Sequence, residues 1–278
     1  MIYYKTNDEI ELIRISSLLV SETLAYAATL IRPGITSLAL DMKAEEFIRD
    51  HDAVPAFKGY KSKTKGVADF PSALCISLND VIVHGIPSKK EIKEGDVVSI
   101  DCGVLKNGFY GDSAYSFLVS NQKPEIVKLS VVTKEALQKG IEVAKIGNRI
   151  GDISYAIQNF CEMQHGYGVV RELVGHGVGK SLHEDPEVPN FGTKGRGPKL
   201  LEGLVIAIEP MVNLGTKNVI HDRDGWTIRT RDGKASVHYE HTIVIKKEGP
   251  VVLSSFEPIL KAEQQNSNLY KEKEFVTH

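Results

Sequence analysis

The chemistry of this chain is concentrated in acidic residues embedded in apolar sequence. Asp101 stands in Val97-Val98-Ser99-Ile100-Asp101-Cys102-Gly103-Val104, which alternates as a strand does, and Glu209 closes Val205-Ile206-Ala207-Ile208. Asp112, in Gly111-Asp112-Ser113, follows Asp101 by eleven residues, a spacing that an antiparallel return would bring close. Glu240 alternates with His238, Thr242 and Val244 within Val237 to Ile245. Burying even one lone carboxylate costs several kcal/mol, and four ionised ones would carry a charge of −4. Two divalent cations supply the compensation. Oxygen-rich ligation with one imidazole suits Mn, Fe(II) or Co, with catalytic zinc as the alternative. His176, flanked by Gly175 and Gly177, is the candidate imidazole.

The elements that must position these groups follow from periodicity and punctuation. Thr6-Asn7-Asp8-Glu9 carries cap-type residues ahead of a periodic apolar segment that Pro33-Gly34 ends, predicting a helix from about residue 7 to 31. A second helix over Leu38 to Ile48 is capped by Thr36 or Ser37. Strand-type runs follow at 73–78, 97–100 and 113–119, separated by Asn, Gly and Asp. Helical texture returns from Glu125 to Ala144 and from Ile150 to about His165, and strands resume near Leu173, at Val205 to Ile208 and at Val237 to Ile245.

The plan of helices followed by strands occurs twice. Glu94 to Val104 aligns with Glu202 to Val212 at an offset of 108 residues, with five identities in eleven and Asp101 facing Glu209 in the alignment. Val83-His84-Gly85-Ile86 echoes Gly175-His176-Gly177-Val178, and Gly34 has a counterpart in Gly147. This predicts an α+β fold with pseudo-twofold internal symmetry, whose antiparallel sheets, flanked by helices, join across the internal axis. The expected organisation is one domain over 1–260, with halves of about 1–122 and 123–260, and a polar tail over 261–278.

Composition agrees with a folded, uncharged-on-balance protein. Hydrophobic residues are 42% and charged residues 25%, and the net charge of −2 argues against a purely electrostatic role on nucleic acid or anionic lipid. Cys75, Cys102 and Cys161 form no CxxC pair and read as reduced core thiols. The N-terminal sequence lacks the pattern of a secretory signal, so the expected compartment is the cytoplasm. The longest apolar stretch, 15–31, is interrupted by Glu22 and hydroxyl residues and reads as an amphipathic core helix.

Together, Val83-His84-Gly85-Ile86-Pro87, Ile100-Asp101-Cys102-Gly103, Gly111-Asp112-Ser113-Ala114, Gly175-His176-Gly177-Val178-Gly179 with Leu182-His183-Glu184, Ile208-Glu209-Pro210 and Tyr239-Glu240-His241-Thr242 closely resemble methionine aminopeptidase of the bacterial type I class. The resemblance runs from the first helix to about Phe256. It implies the pita-bread fold, two divalent metal ions (Co, Mn, Fe(II) or Zn), and removal of the initiator methionine from new polypeptides whose second residue is small. It makes Asp101, Asp112, His176, Glu209 and Glu240 the metal ligands, with Asp112 and Glu240 bridging. His84 and His183 become groups that touch substrate and stabilise the transition state, and Glu209 the proton acceptor. The implied methionine pocket is Phe57, Tyr60, Phe70, Cys75, Leu182 and Trp226, the only tryptophan. Implied partners are nascent polypeptide N-termini at the ribosome, with no DNA, no membrane and a monomeric enzyme.

The chain departs from that pattern in two places. Lys61-Ser62-Lys63-Thr64-Lys65-Gly66-Val67-Ala68-Asp69 is inserted where the bacterial pattern is shorter, and Leu182 replaces a more usual aromatic. The lysines at 58, 61, 63 and 65 read as an exposed solvated loop, with ribosomal RNA as the alternative contact. Proline dipeptidase and aminopeptidase P share the fold and a five-ligand set, but usually carry an N-terminal domain for which His84 comes too early. A catalytically dead module would have lost ligands, and all five are present. The helical insertion of the type II class has no room in the 26 residues from His183 to Glu209.

Overall fold

A computed structural model describes residues 1–62 and 64–271. Helix α1, Asn7–Leu30, begins at a capping box in which the Thr6 hydroxyl accepts from Glu9 N and the Glu9 carboxylate accepts from Thr6 N. Helix α2, Ser37–Asp50, is capped by Thr36, whose hydroxyl accepts from Ala39 N. Helix α3, Pro124–Glu142, starts on a proline, which has no N–H to leave unpaired. Helix α4, Ile150–Gln158, runs into a π-helical turn over Asn159–Gln164, so the segment expected to be helical to about His165 changes winding for its last third. Helix α5 is Glu257–Gln265.

The first half is built on a hairpin. Strands Val97–Lys106 and Phe109–Leu118 pair along their full length, and the Asn107-Gly108 turn has φ of 52° and 77°, the left-handed pair that a two-residue hairpin loop requires. The returning strand thus begins at Phe109 rather than at 113, because the turn lies earlier than the apolar run suggested. Leu74–Leu78 and Val54–Pro55 lie along the other edge of Val97–Lys106.

In the second half the same plan is broken. Val205–Ile208 and Met211–Asn213 are separate strands because Pro210 cannot donate to a ladder, and the partner run divides at Tyr239-Glu240 into Ser236–His238 and His241–Lys246. The single strand expected over 237–245 is therefore two, joining different sheets. No strand runs through Leu173; the short strands Gly168–Val169 and Gly175–Gly177 flank it. Gly34 and Gly147, equivalent by the repeat, follow helices with φ of 86° and 97°. Each leads to a capping residue that bridges a later segment, Thr36 to Glu91 and Arg149 to Lys199.

The halves are joined side by side through Phe109–Leu118 and 236–242. Glu240 N donates to Ala114 O at 2.9 Å, Ser113 Oγ donates to Glu240 O at 2.6 Å, Thr242 Oγ1 donates to Asp112 O at 2.7 Å, and Ser116 Oγ donates to His238 O at 2.8 Å. One apolar core spans both, including Leu24, Ile100 and Tyr115 with Leu137, Ile208 and Ile243. The boundary drawn at 260/261 falls inside α5. Ala262 and Leu269 are buried and Asn266 Nδ2 donates to Ala28 O and Ile31 O, so the polar texture of 261–271 hides a seam against α1. Residues 272–278 lie outside the described residues.

Helix α1 lies across the hairpin at a contact only glycine permits. A Cβ at Gly111 would stand 2.3 Å from Ser17 N and 2.5 Å from Ser16 C, both backbone atoms that cannot yield cheaply, and Ser16 Oγ donates to Phe109 O at 2.9 Å. Gly111→Ala is expected to lower stability by about 3 kcal/mol or more, by forcing apart a packed helix and sheet. Urea denaturation of parent and variant checks this; a loss below about 1 kcal/mol would contradict the packing.

Candidate active site

The hairpin ladder places the first two acids. Asp112 is opposite Gly103 and Asp101 opposite Ala114, so the two aspartates are diagonal neighbours on one face and hydrogen-bond each other. Glu209 and Glu240 sit at the two breaks of the second half, where each strand stops and the side chain turns inward. His176 lies on Gly175–Gly177, whose glycines are pressed against Ala207 O and Asp185 O, bringing the ring onto Asp112 and Glu209. Its Nε2 is 3.7 Å from Asp112 Oδ2 and 3.6 Å from Glu209 Oε1. Ligand atoms of Asp112, His176 and Glu240 all fall within 4.8 Å of one another.

This set fits a cation. Asp101 Oδ1, Asp112 Oδ1 and Glu240 Oε1 are buried with no hydrogen-bond partner, a state that a carboxylate tolerates only beside positive charge. His176 Nδ1 donates to Gly177 O at 2.9 Å, which leaves the Nε2 lone pair facing the acids. Burial pushes His176 down to about 4, so the ring is neutral near pH 7. Burial, reinforced by the neighbouring carboxylates, holds Asp112, Glu209 and Glu240 well above the usual carboxylate range. Burial raises Asp101 to about 7 against the pull of its bonds from Asp112 and Cys102 N.

A cavity of about 840 Å³ opens from the acids to the surface and contains all five ligand-type side chains on its wall. His84 reaches it from the end of strand Val81–Val83 with a φ of 55°, rare for a histidine, and Gly85 behind it is pressed onto Ile76 O. Burial pushes the His84 ring down to about 4. His183 lies 4.2 Å from His176, ring to ring, and its Nδ1 is hydrogen-bonded to Tyr60 Oη at 2.7 Å. Phe57, Phe70, Cys75 and Leu182 form a separate apolar cluster, flanked by Tyr60 and Trp226, so the six expected pocket residues come together despite the insertion between Tyr60 and Phe70. Leu182 fills the position of the usual aromatic from within that cluster.

Three contributors escaped sequence reasoning. His238 Nε2 is buried, without a hydrogen-bond partner, 3.8 Å from Glu209 Oε2; its place two residues before Glu240 on one strand face was the available signal. Asn190 Nδ2 donates to Glu209 O at 2.9 Å from a loop whose sequence carries no sign of it. Lys5 and Glu184 form a buried ion pair at 2.5 Å, and the Glu184 carboxylate also accepts from Ser181 N, tying down the turn that carries Leu182 and His183. Of the loop lysines, Lys58 pairs with Glu45 and Lys61 with Asp69, each at 2.6 Å, while Lys63 lies outside the described residues.

The pattern of metallopeptidase family M24 matches residues 11–247, and the chain belongs to that family, whose members use divalent metal. Its fold is the pita-bread fold. Within the family, methionine aminopeptidase of Clostridium perfringens is 50% identical over 254 residues, 91% of this chain and 99% of that one. Methionine aminopeptidase 1 of Bacillus subtilis is 44% identical over 254 residues, again 91% and 99%. The crystal structure of methionine aminopeptidase from Rickettsia prowazekii superposes with a TM-score of 0.87 at 38% identity, covering 92% of this chain and all of that one. The prolidase of Pyrococcus horikoshii, at 24% identity and a TM-score of 0.70, shares the fold over 63% of its own length. Among the described residues, no helix is long and apolar enough to cross a membrane.

A carboxyl whose folded pKa is raised stabilises the fold below its unfolded pKa and loses that contribution as pH rises through the folded one. For Asp101 that window runs from 3.8 to about 7. Chelated protein should therefore lose stability as pH rises through this window, and added Mn(II) should flatten the slope. Denaturation midpoints at about pH 5 and about pH 8, with and without the ion, check this; a chelated protein equally stable at both would contradict it.

Proposed function

We propose that this chain is a methionine aminopeptidase, hydrolysing the first peptide bond of polypeptides that begin with methionine and a small second residue. The observation that carries the reading is the convergence of Asp101, Asp112, His176, Glu209 and Glu240, from both halves, at the base of a cavity walled by sulfur, leucine and aromatic side chains. The high identity to named methionine aminopeptidases supports it. These five residues would hold two divalent cations, two being the number that balances four carboxylates. Bound there, such ions would make water nucleophilic near neutral pH and polarise the carbonyl under attack.

The chain's own groups have separable tasks. The cluster of Phe57, Phe70, Cys75 and Leu182, with Trp226 over it, takes the methionine thioether, which is apolar and polarizable. With two divalent cations balancing the four carboxylates, the base carries no net positive charge to repel the substrate's terminal ammonium. Glu209 accepts the proton of the attacking water on a carboxylate oxygen and returns it to the amine nitrogen as the C–N bond breaks; Asn190 fixes its backbone by donating to Glu209 O. Tyr60 Oη, 2.7 Å from Nδ1, orients the His183 ring on the cavity wall, from which the ring can donate to a carbonyl oxygen gaining charge. His84, neutral and held by a strained backbone, is placed for the same task on another side of the cavity. The substrates at work would be nascent chains at the ribosome, met by a monomeric, cytoplasmic enzyme.

Metal-stripped protein reconstituted with Mn, Fe(II), Co or Zn is expected to cleave Met-Ala-Ser and to leave Met-Lys-Ser and Gly-Pro intact. Cleavage of Gly-Pro alone would transfer the chain to the proline-specific relatives. Asp101→Asn should lower metal occupancy and rate together, since a charged ligand is lost. His183→Ala should reduce kcat by about 10²- to 10³-fold with metal content unchanged, the measure of one donor to a developing oxyanion.

A further inference from the structure

The inserted stretch 61–69 has no part in the reactions above, yet its described residues, 61–62 and 64–69, do not stand away from the protein. It leaves and rejoins the body at one point, where Phe70 N donates to Tyr60 O at 3.0 Å and Gly59 N donates to Phe70 O at 2.8 Å. From that base the far limb packs on Gly225 and Trp226, two residues of the cavity wall. Val67 covers Gly225, where an added Cβ would come within 2.6 Å of a Val67 methyl, and Ala68 O accepts the indole N–H of Trp226 at 2.9 Å. Val67 thus needs Gly225, and the insertion needs Trp226, as neighbours.

The near limb forms part of the cavity wall. Lys61, Ser62 and Thr64 line its outer part, and Lys61 and Ser62 also border a smaller cavity of about 560 Å³ over Pro55 and Tyr110. Ser62 Oγ accepts from Thr64 N at 3.1 Å, which leaves its own hydrogen to donate. The cluster of Phe57, Phe70, Cys75 and Leu182 is apolar and suits one methionine side chain, whereas Ser62 and Thr64 bring hydroxyl groups to the same cavity, which hydrogen-bond an extended backbone. A cavity of about 840 Å³ also exceeds what a methionyl residue alone would fill.

We propose that the 61–69 insertion is a substrate-reading element, which extends the cavity wall outward from Trp226 and binds the peptide backbone from the third residue onward. The inference rests on the aminopeptidase reading and adds to it a dependence on substrate length. Lys61 is paired with Asp69, and Ser62 and Thr64 are the groups of the element that line the cavity as hydroxyls.

The insertion can be removed cleanly. The bond from Phe70 N to Tyr60 O is the one that closes a four-residue turn, so Asn-Gly in place of 61–69 spans the gap. The values of kcat/KM for Met-Ala-Ser and for an octapeptide beginning Met-Ala-Ser are measured in both proteins. The parent is expected to favour the octapeptide by about tenfold, the value of one or two hydrogen bonds, and the shortened protein to show no such gain. Emission of Trp226, the only tryptophan, gives a second readout. The methionine-free product heptapeptide should bind the shortened protein about tenfold more weakly. If the shortened protein does not fold, a Ser62→Ala, Thr64→Ala double variant should lose the same gain. An equal octapeptide gain in parent and variants, or no gain in the parent, overturns the inference alone. A parent that cleaves neither peptide sinks the reading beneath it as well, and the inference with it.

Discussion

Four carboxyl groups gathered on the wall of one cavity and buried there are the constraint on which this structure turns. Left to themselves Asp101, Asp112, Glu209 and Glu240 would separate or take up protons, and the upward push on all four is the measure of that tendency. The fold opposes it with backbone rather than with counter-charge. Asp101 and Asp112 are on adjacent strands of a fully paired hairpin, and Glu240 is bonded through its own N–H and C=O to Ala114 and Ser113 on that hairpin. A cation entering among them would relieve the repulsion that proton uptake otherwise relieves.

The seam between the halves therefore has two purposes that the same residues serve. Ser113, Ser116 and Thr242 are buried hydroxyl residues that would be costly in an apolar sheet, and each repays its burial by bonding a carbonyl beside an acid or its neighbour. Pseudo-symmetry explains the regular half and its broken copy. The continuous strand Val97–Lys106 presents Asp101 from a sheet face, while Pro210 interrupts the equivalent strand so that Glu209 points into the space between sheets. Around this fixed base the substrate wall is assembled from loops, each tied at a distance: Glu184 to Lys5, Tyr60 to His183, Trp226 to Ala68. A rigid base with loop-built walls keeps the reacting groups in register while substrate range varies.

The helices were legible because their signals are local. Thr6 with Glu9, Thr36 before α2 and Pro124 at the head of α3 act over three or four residues, and the observed bounds follow them closely. The repeat between 94–104 and 202–212 was also legible, as were the acids it pairs, since a carboxylate in an apolar strand is conspicuous wherever the strand goes. What failed were continuations: the run through Tyr239-Glu240 and the tail after 260 read one way in sequence and another in space.

Residue types and their spacing sufficed to propose four acids and one imidazole within an α+β repeat, and the family resemblance added the apolar cluster beside them. Only the folded chain decided which second layer supports them, because His238, Asn190 and Lys5 reach Glu209 and Glu184 across sequence separations that no local rule spans. The course of the 61–69 insertion was decided in the same way. Its composition is that of a solvated loop, and it lies over Trp226 because Gly225 leaves room for Val67 and an indole N–H needs an acceptor. Those are properties of two surfaces in contact, and a sequence holds only one surface at a time.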